Sequence, residues 1–391
     1  MMTLTPPAKN GRHHSVEDDL KIRRGSSVSI LEMPEEARTC TFWVGLDWGT
    51  NKSCLFGCPA GMTEPVLNHV VPTMVGYARE GLLDDLLPAN AKVLFGEDAL
   101  KHRLHLRLVQ PMVDGIIHDV EASRDFARHL RGLIRVEGNV EIRAVIGIPA
   151  NAGEEARERV RQAMQGLFHR VILVPEPFLA ALGWREEGRL VDPTYADPVR
   201  NSLFVDIGAG TTDICLVQGY FPTSEDQISF PFAGDKVDSL LYEALKRTYP
   251  DLSLSAMAVR ELKEKHSFAG KPEAPALATV MMGGKKRKLD VTEQIEFACG
   301  VLLERILESM QVLIGRASSD SVAELLQNIV LTGGGSRIRS LDKEIQRRLA
   351  EEGYAEPGVK LAGANYKEFV ARGALKAARQ ARDNQWQRLI A

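Results

Sequence analysis

A chain of 391 residues, 44% hydrophobic and 26% charged, has the balance of a globular protein with room for two or three domains. Its 49 Lys and Arg against 52 Asp and Glu leave a formal net charge of −3, without the basic excess of a dedicated nucleic-acid binder. No apolar run approaches the roughly 18 residues of a membrane helix, the N-terminus is too polar for a secretory signal, and the cysteines form no CxxC pair. A soluble, cytoplasmic protein is predicted.

Residues 1–40 mix Pro, Gly, Ser and opposed charges and read as a disordered extension; Gly25-Ser26-Ser27 interrupts any amphipathic arm over Leu20–Met33. Order is predicted from Thr41. TFWVGLDWGTNKSCLFG holds two apolar runs about an Asp-x-Gly turn, the pattern of a β-hairpin. VPTMVGYAR reads as one extended segment. A helix follows, with Ser123 or Glu121 near its start and Phe126, Ala127, Leu130 and Leu133 on one face. Ile142–Pro149 and Arg170–Pro175 are near-continuous apolar runs, as in strands buried on both faces, and Pro177 suits the first turn of the next helix.

After a polar connector at 192–200 the opening theme returns. SLFVDIGAGTTDICLVQG repeats strand, Asp-x-Gly-x-small turn and strand, an internal repeat at domain scale. Helices are predicted at 237–249 and over AVRELKEKH. A polar segment follows, in which Lys285–Lys288 reads as a solvated loop tip rather than an anion-binding patch. From Asp290 or Thr292 a long helix buries Ile295, Ala298, Leu302, Ile306, Met310 and Leu313. NIVLTGGGSRI gives a strand, a triple glycine and a helix start, and a last helix follows from YKEF.

The chemistry concentrates in the turns. Gly and hydroxyl residues in Asp47-Trp48-Gly49-Thr50 and in Asp206-Ile207-Gly208-Ala209-Gly210-Thr211-Thr212 expose backbone N–H groups able to cradle phosphate oxygens. Each preceding Asp can hold Mg²⁺ through water. One such turn alone is an ordinary β-turn; two matched ones plus Gly333-Gly334-Gly335, against which a base or ribose can lie, point to a nucleotide. Neither turn fits the P-loop pattern. Glu176, boxed between Pro175 and Pro177, can orient a water toward a terminal phosphate, or can serve simply as a helix-start carboxylate.

With these residues in place, the sequence resembles the ATPases that share the fold of actin, sugar kinases and the seventy-kilodalton chaperones. LDWGTNKS is similar to that superfamily's first phosphate loop and VDIGAGTTDI to its second. LTGGGSRI resembles the adenosine loop, and AVIGIPA…EPFLAALG and FVARGALKAA the connecting segments. VPTMVG, FGEDALKHR, MVDGIIHDVE and AGDKVD resemble the shape-determining bacterial actins; KEKHSFAG and DVTEQIEFAC resemble the magnetosome-organising ones.

The resemblance implies an α/β, actin-like ATPase fold: two lobes, each a mixed sheet flanked by helices on a duplicated ribonuclease H-like core. Lobe I would span 41–200 (IA 41–71 and 114–190, IB 72–113). Lobe II would span 201–391 (IIA 201–233 and 291–391, IIB 234–290). Cofactors would be ATP or ADP with Mg²⁺ held through water by Asp47 and Asp206. Gly49, Thr50 and Asn51, with Gly208, Gly210, Thr211 and Thr212, would touch the β- and γ-phosphates. Glu176 would position the hydrolytic water. Lys263 and Glu264 would reach the ribose and base, with Gly334, Gly335, Ser336 and Arg337 beneath the adenine.

The implied function is a cytoplasmic cytoskeletal ATPase that polymerises and organises a structure such as magnetosomes. Its partners would be its own copies and organelle or membrane-associated adaptors, with no direct nucleic acid and no transmembrane segment. A small-molecule kinase or chaperone-like switch on the same fold is the alternative; no acceptor-activating Asp or client-binding module is evident for either. Trp48, where the family usually has Leu or Asn, and the long N-terminal extension depart from the pattern.

Overall fold

A computed structural model describes residues 40–150, 152–282 and 284–388. The extension read above as disordered lies outside them except for Cys40. Two mixed sheets dominate. In the first, the strand order is 387–388, 170–175, 140–148, 40–48, 52–59, 67–72. Cys40–Trp48 runs antiparallel to its hairpin partner Lys52–Pro59 and parallel to Val140–Ile148, which pairs in parallel with Arg170–Pro175. In the second the order is 227–230, 212–217, 202–207, 329–332, 359–361. Ser202–Ile207 likewise pairs antiparallel with Thr212–Val217 and parallel with Ile329–Thr332. The two halves of the repeat thus build the same core: a hairpin whose first strand is flanked by a parallel neighbour. That neighbour must be buried on both faces, hence the unbroken apolar runs.

Three local expectations change. The segment from Val71 to Arg79 is two strands. Leu67–Pro72 edges the first sheet, and Val75–Ala78 is the centre of a separate three-stranded sheet with Val93–Phe95 and Leu106–Val109. The helix Val120–Gly132 starts one residue after Asp119, whose carboxylate accepts the Ala122 N–H at 2.9 Å. Ser123 cannot cap because it already lies inside the first turn; its hydroxyl donates to the Pro111 carbonyl.

Lys285–Lys288 is not a loop tip but most of a strand, Lys285–Asp290, paired antiparallel with Leu277–Met282. Only Ala278 and Val280 of that hairpin are deeply buried, so its period-two pattern is faint among polar neighbours. The long helix, Thr292–Ile314, buries the predicted stripe in full. No helix among the described residues is long and apolar enough to cross a membrane.

The helices Glu176–Trp184 and Tyr366–Gln380 fill the space between the sheets. There Val145 and Val174 of the first sheet share one apolar cluster with Phe204, Val217 and Val330 of the second. These helices touch backbone to backbone. A Cβ at Gly183 would lie 1.9 Å from the Phe369 carbonyl oxygen, and one at Gly373 would lie 1.8 Å from that of Leu179.

Candidate active site

Both hairpin turns open into one cleft with a volume of about 630 Å³, the scale of a small-molecule site. Asp47, Gly49, Thr50, Asn51, Glu176, Asp206, Gly208, Gly210, Thr211, Lys263, Glu264, Gly333, Gly334, Gly335 and Arg337 all line it. Two expected contacts do not. Thr212 is fully buried, its hydroxyl donating to the Phe232 carbonyl at 2.8 Å, because it lies in the strand and points to the other face of the turn. Ser336 donates to the Gly333 carbonyl at 2.7 Å and holds the glycine turn closed from within.

The first turn is fixed from outside itself. Thr73 donates its hydroxyl to the Gly49 carbonyl at 2.7 Å, Gln110 donates to the Thr50 carbonyl at 3.1 Å, and the Thr50 hydroxyl accepts the Gly115 N–H at 3.0 Å. The second turn closes on itself through Gly208 N–H to the Thr211 carbonyl at 2.9 Å, and its Ala209 carbonyl accepts the Asp235 N–H at 2.8 Å. The turns meet at Gly210. A Cβ there would stand 2.7 Å from Asp114 Cα and 3.0 Å from Thr50 Oγ1, so only glycine permits the approach.

Four carboxylates gather beneath the turns. Burial pushes Asp47 up to about 7; burial, then Asp47 and Asp213, push Asp206 up to about 8. Glu176, at the start of its helix, is driven well above the ordinary carboxylate range by burial and then by Asp47, Asp213 and Asp206. Asp213 is raised by burial but anchored by the Ala150 N–H at 2.8 Å, a bond from the second hairpin to the turn just after the strand Val140–Ile148. Asp47, Glu176 and Asp206 each keep some surface open to the cleft while protein encloses the rest.

On the far side, Arg260 reaches Asn51 Oδ1 at 3.3 Å while held by Asp235 at 2.8 Å and Asp238 at 3.4 Å. Lys263 is engaged by Asp238 at 2.9 Å and by the Gly234 carbonyl at 3.0 Å. Glu264 stands exposed at the rim. The triple glycine leads into a short 3₁₀ turn, Gly334–Arg337, and the next α-helix begins only at Leu341. An anion-favouring α-helix N-terminus directly after the glycines is therefore absent, because Ser340 in a left-handed conformation delays the helix.

The profile of the MreB/Mbl protein family matches residues 45–383. The chain belongs to the MreB/Mbl family. It is 31% identical to the actin-like protein MamK of Magnetospirillum gryphiswaldense over 86% of this chain and 89% of that one. With MamK of Paramagnetospirillum magneticum the identity is 32% over 80% and 86%. Among solved structures it matches a MamK double helical filament at a TM-score of 0.78 and 30% identity, covering 88% of this chain and 100% of that one. A non-polymerising MamK mutant bound to AMPPNP matches at a TM-score of 0.63 and 29% identity, over 88% and 99%. MreB 5 of Spiroplasma citri bound to AMPPNP shares the fold at 19% identity, with a TM-score of 0.68. The fold is the actin-like one expected from the sequence.

The donor set fits a hydrated divalent cation. Asp47 and Asp206 are enclosed carboxylates with no cation among the influences acting on them, and a bound positive charge would relieve both. No cluster of three or more His, Cys, Asp or Glu suited to a metal occurs among the described residues.

Sequence reading missed Asp213, Arg260 and the Lys52, Tyr366 and Lys367 that also line or brace the cleft. Asp213 was within reach: a hairpin turn of this length sets it opposite Asp206. Arg260 carries no local signal, since its partners are distant in sequence.

Proposed function

We propose that this chain is a filament-forming ATPase: it binds ATP with Mg²⁺ between two lobes, polymerises in that state, and hydrolyses ATP to turn the polymer over. The observation that carries the reading is the meeting of two matched Asp-Gly turns over one cleft, with Glu176 in the same cleft and influenced by both their carboxylates. The backbone N–H groups of Gly49–Asn51 and Gly208–Thr211 would hold the phosphate chain from opposite sides. Asp47 and Asp206 would hold Mg²⁺, which when bound neutralises charge on the phosphates. Glu176, once a bound cation offsets the burial and the neighbouring carboxylates that raise it, would hold a water in line with the terminal phosphate and accept its proton. Arg260 would tie the second half of the chain to Asn51, and Lys263 would release Asp238 to reach the ribose.

A division into four subdomains, with 72–113 and 234–290 as the smaller ones, would allow a hinge that flattens on nucleotide, with head-to-tail contacts giving open filaments. The relatives' filaments support self-association; placing a cellular structure such as magnetosomes through adaptors, in cytoplasmic cytoskeletal filaments, is the role that follows.

Negative-stain electron microscopy of the protein with and without Mg-ATP tests this. Filaments that require nucleotide are expected, and a monodisperse population under both conditions would overturn the reading. Glu176→Ala should still bind and assemble while phosphate release falls 10²-fold or more, leaving persistent filaments; wild-type turnover in that variant would remove Glu176 from the mechanism.

A further inference from the structure

Lys52, Lys265 and Lys367 line the cleft without a part in the scheme above, and two of them, Lys52 and Lys367, act on one another. Lys52 opens the strand that follows the first turn, and Lys367 lies in the first turn of the helix Tyr366–Gln380. Both line the cleft, and Lys52 is close enough to act on the charge of Lys367. Neither forms an ion pair with a carboxylate among the described residues; the opposite charge of Glu264 acts on Lys367 but is outweighed by Lys52 and Arg337. The placement is electrostatically adverse in three further ways. Lys367 is half-buried, it stands at the positive end of its own helix, and it faces a like charge. Burial, then Lys52 and Arg337, push its ammonium down to about 8. Such an arrangement costs stability unless an anion sits against it.

We propose that Lys52 and Lys367 form a side-chain seat for the polyphosphate chain of a nucleotide, on the side of the cleft opposite the Gly208–Thr211 turn. The inference rests on the nucleotide reading above and adds a pair of cations to turns that otherwise offer backbone N–H groups. Compact ammonium groups bind phosphate as point charges, and two of them span adjacent phosphates where one would not. Tyr366 and Arg337 bound the seat on the triple-glycine side, so the chain of phosphates would run from there toward Asp47.

Isothermal titration of the full chain with Mg-ATP, Mg-ADP, adenosine and inorganic phosphate tests the assignment on wild type, Lys52→Ala, Lys367→Ala and Lys52→Arg. Each alanine variant should weaken Mg-ATP and Mg-ADP by roughly tenfold or more and leave adenosine unchanged, while Lys52→Arg retains most of the affinity. The nucleotide-free alanine variants should melt no lower than wild type, because a repulsion has been removed; a merely structural lysine would lower the melting temperature. Equal losses for adenosine and Mg-ATP, or no loss, overturn the proposal. So does wild-type binding of inorganic phosphate that the variants lose while Mg-ATP affinity stays intact, which would mark a separate anion site. If wild type binds no Mg-ATP the nucleotide reading itself falls; if wild type binds and the variants match it, only the lysine assignment falls.

Discussion

The two hairpins are the same scaffold with different chemistry. Asp47 pairs across its hairpin with Cys54 and Trp48 with Ser53; at the equivalent places Asp206 pairs with Asp213 and Ile207 with Thr212. Burial, and then Asp47, push the Cys54 thiol well above its usual range, so the first hairpin brings a single ionisable charge to the cleft floor. The second brings two, and one of them, Asp213, never faces the cleft. It raises Asp206 through space and binds Ala150 across the molecule. The duplication supplies geometry twice. Single side chains then divide the labour, the first turn braced from outside and the second bracing the rest.

The strongest test of that asymmetry is Asp206→Asn, which should weaken Mg-ATP binding by 100-fold or more, read by titration calorimetry. Its effect on stability runs the other way. Asp206 holds its proton more tightly folded, up to about 8, than unfolded, near 3.8. Its stabilising share is therefore full below pH about 4 and lost as pH rises toward 8. Melting temperature measured against pH should fall across that window in the nucleotide-free wild type and fall less in Asp206→Asn. Asp47→Asn should show a smaller correction closing near pH 7; a larger one than Asp206→Asn would reverse the comparison.

Gly210→Ala comes next. Its Cβ would meet the Asp114 backbone at 2.7 Å, so the turns must part, at a cost of about 1–3 kcal/mol. Lower affinity and a lower melting temperature together would report it. Gly49→Ala would instead press on the Lys52 carbonyl within its own turn, leaving the contact between turns in place. The smallest effect belongs to Trp48→Phe. Trp48 is 1% exposed in the core of the first sheet and its indole N–H has no partner among the described residues. The lost volume costs on the order of 1 kcal/mol, part of it offset by removing that N–H. A drop of a few degrees in melting temperature with affinity inside twofold is expected.

What the sequence reveals follows from how local each cause is. The hairpins at Asp47 and Asp206, the buried strands and the stripe of the helix Thr292–Ile314 are written in contiguous periodicity, and the matched turns announce a shared cleft. Asp119 escapes notice because two other candidates near the helix start, Glu121 and Ser123, carry similar capping chemistry. The strand Lys285–Asp290 is hidden because four adjacent cations mask its alternation. Thr212 and Ser336 look like ligand contacts by composition, and only the pleat and the turn decide that they face inward. The Arg260–Asn51 contact and the Lys52–Lys367 pair join segments far apart in sequence, and no window of the chain encodes them.

The helix Tyr366–Gln380 and the strand Gln387–Arg388 add a consequence in time. The first sheet is seeded by the earliest described residues, yet one of its edges is closed by Gln387–Arg388 and the glycine-lined contact beneath it by a helix more than 300 residues further along the chain. On the ribosome, the opening half of the molecule must therefore wait with Val145, Val174 and Leu179 uncovered until residues 366–388 have emerged. Neither half of the cleft can mature alone, and folding is committed only once residues 366–388 are available.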